Sequence, residues 1–128
     1  MIPVTLLYAG LLGLLSVLLA NQVLHVRLRA QTLPAWKPDA TLRVQANFVE
    51  NVPLALVLLY LVEVSGVATL AVHVFGCALV LFRVLHAWGM SRNEGANYSR
   101  LIGAQGTFLV LSTMGMTALY LVLSGGSG

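Results

Sequence analysis

Four apolar stretches, each long enough to cross a bilayer, constrain this 128-residue chain more than any other feature. About 20 consecutive apolar residues span the hydrocarbon as a helix. The stretches lie near Pro3 to Val26, Leu42 to Val64, Val67 to Gly89 and Asn97 to Ser124. Composition supports the membrane reading, because only 9% of residues are charged, against about 25% in an ordinary soluble domain. Lipid offers the backbone no hydrogen-bond partners, so the runs must be helices that satisfy their own N–H and C=O groups. The predicted fold class is therefore all-α: an integral membrane four-helix bundle forming one domain over residues 1–124. Gly125-Gly126-Ser127-Gly128 reads as a linker outside it.

The cationic residues set the expected orientation. Arg27, Arg29, Lys37 and Arg43 follow the first run, Arg92 and Arg100 flank the third connection, and the second connection and both termini carry none. By the positive-inside tendency, connections one and three face the cytoplasm and both termini face the other side. The first run lacks a basic leader and is too long for a signal-peptide core, so it is expected to remain in the mature chain. Net charge +3 follows from this topology and suits an anionic ligand. Some arginines are candidates for lipid headgroups, whereas no basic helix or aromatic platform suggests nucleic acid. The absence of an organellar or retention signal fits a bacterial inner membrane.

Between the runs, Pro34 and Pro38 bracket Trp36. They predict a non-helical interfacial connection from Arg27 to Thr41, with Asp39 or Thr41 capping helix two. Ser65-Gly66 predicts a tight reversal, and Glu63 beside it is expected to reach the interface. Pro53 removes the backbone donor to residue 49 and predicts a kink. Gly103, Gly106 and Gly115 predict close packing of helix four. Cys77 has no intrachain partner and is expected to be a small core residue. The Asn97-Tyr98-Ser99 sequon falls on the expected cytoplasmic side and is discounted.

Against this background the polar residues stand out. In Arg43-Val44-Gln45-Ala46-Asn47-Phe48-Val49-Glu50-Asn51-Val52-Pro53, a helical advance of about 100° per residue puts Arg43, Asn47 and Glu50 on one face and Gln45 nearly opposite. Arg43 suits a carboxylate, Glu50 an ammonium and Asn47 an amide. The same spacing also allows the three to satisfy one another as a structural patch. One subunit has too few helices to enclose polar groups on both faces of helix two, so self-association is expected. On helix three Arg83, His86 and Met90 share a face. Arg83 either snorkels or meets a ligand, and His86 is either a hydrogen-bonding residue or a general base. Arg27, Arg43, Arg83 and Arg100 all lie near the cytoplasmic helix ends, which suits an acidic ligand. His25 and His73 lack metal-ligand spacing, so no metal is expected. No Ser-His-Asp order, P-loop or glycine fingerprint appears.

The run Arg43-x-Gln45-x-Asn47-x-x-Glu50-x-x-Pro53 resembles the signature of the MAPEG family, the membrane-associated proteins of eicosanoid and glutathione metabolism, which includes microsomal glutathione transferases and leukotriene synthases. The likeness extends over the chain: four helices of matching length, a basic end to helix one and an arginine opening helix four. It implies a homotrimer with glutathione between adjacent subunits near the cytoplasmic side. It further implies that Arg43, Asn47 and Glu50 bind the glutathione backbone with support from Gln45. Arg27 matches the basic position ending helix one, and Arg83 matches the helix-three arginine. Arg100 best matches the arginine that stabilises the glutathione thiolate, with Arg92 as second choice. Where leukotriene-forming members carry glutathione-contacting tyrosines, this chain has Asn51, His86 and Met90, and Tyr98 is a candidate replacement for one of them.

The resemblance thus implies a glutathione-dependent transferase or peroxidase acting on a lipophilic electrophile or lipid hydroperoxide, in lipid metabolism or detoxification. The alternative is a non-catalytic membrane binding or scaffold protein of the same fold. A small transporter is disfavoured by the absence of paired or unwound helices.

Overall fold

The computed structural model describes residues 2–92 and 98–125, and their side chains except at 90–92 and 98–99. Asn97, residues 126–128 and the side chains of Met90, Arg92 and Tyr98 lie outside the described residues. Helix α1 spans Thr5–Leu28, a 3₁₀ turn spans Ala30–Thr32, and α2, α3 and α4 span Trp36–Val64, Thr69–Arg92 and Tyr98–Leu123. No strand occurs among the described residues. All four helices are long and apolar enough to cross a membrane, and the chain is an integral membrane four-helix bundle.

Helix α2 begins six residues before the expected Leu42. Pro38 does not prevent this because it lies in the first turn, where backbone N–H groups have no intrahelical acceptor to lose. Neither Asp39 nor Thr41 is a cap: the Thr41 hydroxyl donates to the Lys37 carbonyl at 2.9 Å, and Asp39 pairs with Arg43 one turn on. The helix continues through Pro53.

Neighbouring helices run antiparallel, and α2 touches each of the other three. Its end is closed by Gly66 at φ +96, with Gly66 N–H donating to Glu63 O and Val67 N–H to Val62 O. A left-handed glycine with this bond pair is the Schellman closure, and it turns the chain directly into α3. Glu63 also folds back onto α1. Its carboxylate accepts from Val4 N–H (2.5 Å), Thr5 N–H (2.8 Å) and Thr5 Oγ1 (2.7 Å). The expected interfacial carboxylate is therefore an N-terminal cap, placing negative charge where the α1 dipole and unpaired N–H groups favour it.

The core is built from Leu12, Ala55, Leu59, Val72, Leu79 and Met114, while Leu14, Leu18, Leu81, Leu109 and Leu119 are exposed. In lipid, apolar exposure costs nothing and helix association relies on close packing. Helices α3 and α4 make the closest pair. A Cβ at Gly103 would fall on the His86 backbone and the Phe82 carbonyl, and one at Gly106 on the Phe82 ring. Absence of side chains there sets α4 directly against the stretch of α3 that carries Arg83 and His86. Gly76 similarly admits the Tyr8 ring between α1 and α3.

Candidate functional site

Arg83 is the largest fully buried side chain, only 1% exposed, and it organises the polar end of the bundle. Its Nη1 donates to Asn47 Oδ1 on α2 at 2.7 Å and to Thr107 Oγ1 on α4 at 3.3 Å. Its Nη2 lies 3.4 Å from His86 Nδ1 one turn along α3. The guanidinium carbon stands 5.8 Å from the Phe48 ring centroid, within cation–π range. Nε has no hydrogen-bond partner. Arginine only donates, so Asn47 Oδ1, the Thr107 oxygen and His86 Nδ1 must all act as acceptors. The Thr107 proton is already directed to the Gly103 carbonyl at 2.8 Å, leaving a lone pair for Arg83.

Arg83 thus ties three helices together through Asn47, Thr107 and His86, with no carboxylate among these partners. Burying a cation among neutral groups is costly in hydrocarbon. Snorkelling is ruled out by the burial. His86 is 4% exposed and lies within electrostatic range of both Arg83 and Arg100.

The other signature residues occupy the outside of α2. Arg43 is exposed, and its Nε donates to Asp39 Oδ2 at 2.9 Å. Glu50 is exposed and has no hydrogen-bond or ion-pair partner among the described residues. Asn47 is half-buried between this outer face and the core. Asn51 Nδ2 donates back to the Asn47 backbone carbonyl (2.8 Å) and to Asn47 Oδ1 (3.3 Å). Gln45 is half-buried on another face, and Arg27 is exposed at the end of α1. Within the single chain, then, Asn47, Arg83 and His86 come together, whereas Arg43, Glu50 and Arg27 present outward. The three signature residues do not bond one another.

Comparison with known proteins agrees with this architecture. The sequence profile described as "MAPEG family" matches residues 5–120, taking in all four helices and the whole polar cluster. The chain belongs to the MAPEG family. It is 35% identical over 92 residues to "Inner membrane protein YecN" of Escherichia coli (strain K12), covering 67% of this chain and 69% of that protein. The protein of the same name from Escherichia coli O6:H1 matches equally. No solved structure gives a significant match.

The MAPEG signature did not reveal every polar partner. Thr107 follows Gly103 by four residues, and with Val110 and Met114 it forms a buried stripe on α4. That helical spacing was legible. A second cluster lies toward the opposite end of the bundle, where Tyr8 Oη is 2.6 Å from His73 Nδ1 and 3.3 Å from Cys77 Sγ. It corrects the reading of Cys77 as a core residue, because the cysteine is exposed. No group of three or more His, Cys, Asp or Glu side chains capable of holding a metal occurs among the described residues. An apolar groove of about 350 Å³ opens between the start of α1 and the end of α2, beside Leu6, Ala9, Leu56 and Tyr60. It lies away from the arginines.

Proposed function

We propose that this MAPEG protein is a glutathione-dependent transferase or peroxidase of a bacterial inner membrane, working as a homotrimer. The observation that carries the reading is the outward placement of Glu50 and Arg43 around Asn47 on an otherwise apolar helix. A carboxylate without a partner at membrane depth is costly. A zwitterionic ligand held against this face by a neighbouring subunit would supply the missing charges. The inner-membrane relative favours the location.

In this scheme Glu50 takes the glutathione ammonium, Arg43 and Asn47 take its carboxylate or amide oxygens, and Gln45 and Arg27 serve the adjoining subunit's site. His86 stands at a glutathione-contact position. Arg100 opens α4 beside His86 and stabilises the thiolate. A free thiol has a pKa near 8.5, so lowering it by about two units requires roughly 2.7 kcal/mol of preference for the anion. One guanidinium in a low-dielectric setting can provide that. The thiolate then forms a bond to an electrophilic carbon, displacing a leaving group or adding across a polarised double bond that collects a proton. With a lipid hydroperoxide it attacks the terminal oxygen, releasing the alcohol. The resulting sulfenic acid is reduced by a second glutathione to the disulfide and water.

The deciding measurement is ultraviolet difference absorbance on adding glutathione to the purified protein, with calorimetry in parallel. A thiolate band that is lost in Arg100→Ala while binding persists supports the enzyme. Glutathione binding without a thiolate band leaves the scaffold reading, which the Arg43–Asp39 pair favours because it occupies one proposed ligand contact from within the chain. Absence of binding removes the glutathione role altogether.

A further inference from the structure

We propose that Arg83 is a positioning residue that acts through Asn47: it fixes the Asn47 carboxamide so that the amino group faces the outer surface of α2 as an obligate donor. This rests on the ligand face proposed above and specifies what that face accepts. Arg83 is too enclosed to touch a ligand on the outside of α2, being 1% exposed beneath Asn47 and Phe48.

Hydrogen-bond polarity then determines the orientation. A guanidinium has five donors and no acceptor, so only the oxygen of a neighbouring carboxamide can face it. Asn47 Oδ1 receives Arg83 Nη1 at 2.7 Å and Asn51 Nδ2 at 3.3 Å. Both bonds anchor the oxygen edge. The Asn47 amino group occupies the opposite edge of the planar carboxamide and donates to no described residue. Thr107 supports the geometry from behind, because its own proton is committed to the Gly103 carbonyl and it can only accept from Arg83. Asn47 therefore cannot flip to offer an acceptor. The ligand group opposite it must itself be an acceptor, a carboxylate or carbonyl oxygen, while Glu50 one turn along selects a donor.

An exchange of one atom class separates positioning from simple structural support. Asn47→Asp gives the buried guanidinium a counter-charge while replacing the outward donor with an acceptor. Asn47→Ala removes both functions. For the purified full-length protein in detergent, the thermal midpoint without ligand should rise in Asn47→Asp and fall in Asn47→Ala, whereas glutathione affinity should drop at least tenfold in both. A purely structural link would keep affinity in step with stability. Asn47→Asp that is more stable and binds glutathione like the unaltered protein overturns the donor assignment alone. Asn47→Asp that is less stable, or fails to fold while Asn47→Ala folds, overturns the Arg83–Asn47 contact. Unaltered protein that binds no glutathione overturns the proposed function and the ligand half of this inference with it.

Discussion

Replacing Gly103 with alanine tests the packing that brings Arg83 and His86 to their positions. In a helix interior, Gly→Ala is favourable by about 1 kcal/mol when space permits. At Gly103 space does not permit it, because the new Cβ would overlap the His86 backbone and Phe82 carbonyl. Backbone cannot rotate aside, so the helices must separate, placing the cost near the upper end of the roughly 1–3 kcal/mol seen for overpacking. The net loss is about 2 kcal/mol. Gly106→Ala meets the Phe82 ring, which can pivot, so its overpacking cost is smaller and the net loss about 0–1 kcal/mol. At Gly115 nothing lies within 4 Å, and alanine should gain about 0.5–1 kcal/mol. With about 4 °C per kcal/mol for a chain of this size, the thermal midpoint should fall by about 8 °C for Gly103→Ala. It should change little or fall a few degrees for Gly106→Ala and rise a few degrees for Gly115→Ala. The assay is unfolding in one detergent followed by tryptophan fluorescence. A Gly103→Ala midpoint at or above the unaltered protein's would refute the close approach. Equal losses at Gly103 and Gly115 would refute its assignment as the source of the cost.

Three further outcomes are expected. Glu63→Gln keeps an acceptor for α1 but loses the charge across three hydrogen bonds, and should destabilise by about 1–2 kcal/mol in thermal or denaturant unfolding. An unchanged midpoint would mean the cap contributes nothing. Glu50→Gln should leave the midpoint within a few degrees, since Glu50 bonds no described residue, yet weaken glutathione binding at least tenfold by calorimetry; unaltered affinity would exclude it as the ammonium partner. Reporter fusions should place both termini outside the cytoplasm, and a cytoplasmic C-terminus would remove the proposed cytosolic entry for glutathione.

The bundle was legible because hydrocarbon leaves the backbone few choices, and a run such as Leu54 to Val62 states its environment residue by residue. Helix ends were harder, since Pro38 reads as a breaker by composition and as a tolerated residue once it lies in the first turn of α2. The shared face of Arg43, Asn47 and Glu50 was visible from angular spacing. What spacing could not show was which neighbour each residue meets, because that depends on how α3 and α4 pack against α2. Arg83 looked like a snorkelling or ligand-facing cation, and its burial follows from Gly103 bringing the helices together. That Glu63 caps α1 was not legible, because its partners, Val4 and Thr5, lie 59 and 58 residues away along the chain.

The order of groups along α2 limits what the proposed ligand can be. Helical rise is about 1.5 Å per residue, so Asn47 and Glu50 are separated by about 4.5 Å along the axis and Arg43 lies about 6 Å beyond Asn47. The outer face therefore changes from donors at Arg43 and Asn47 to an acceptor at Glu50 within two turns. An α-amino-acid head group has the same alternation, its ammonium toward Glu50 and its carboxylate toward Asn47. A simple dicarboxylate or a phosphate would satisfy the donor end and be repelled at Glu50. On the proposed reading, selectivity for a γ-glutamyl peptide over other cytosolic anions thus depends on Glu50 and on the fixed orientation of Asn47, while the arginines contribute attraction that any anion would share.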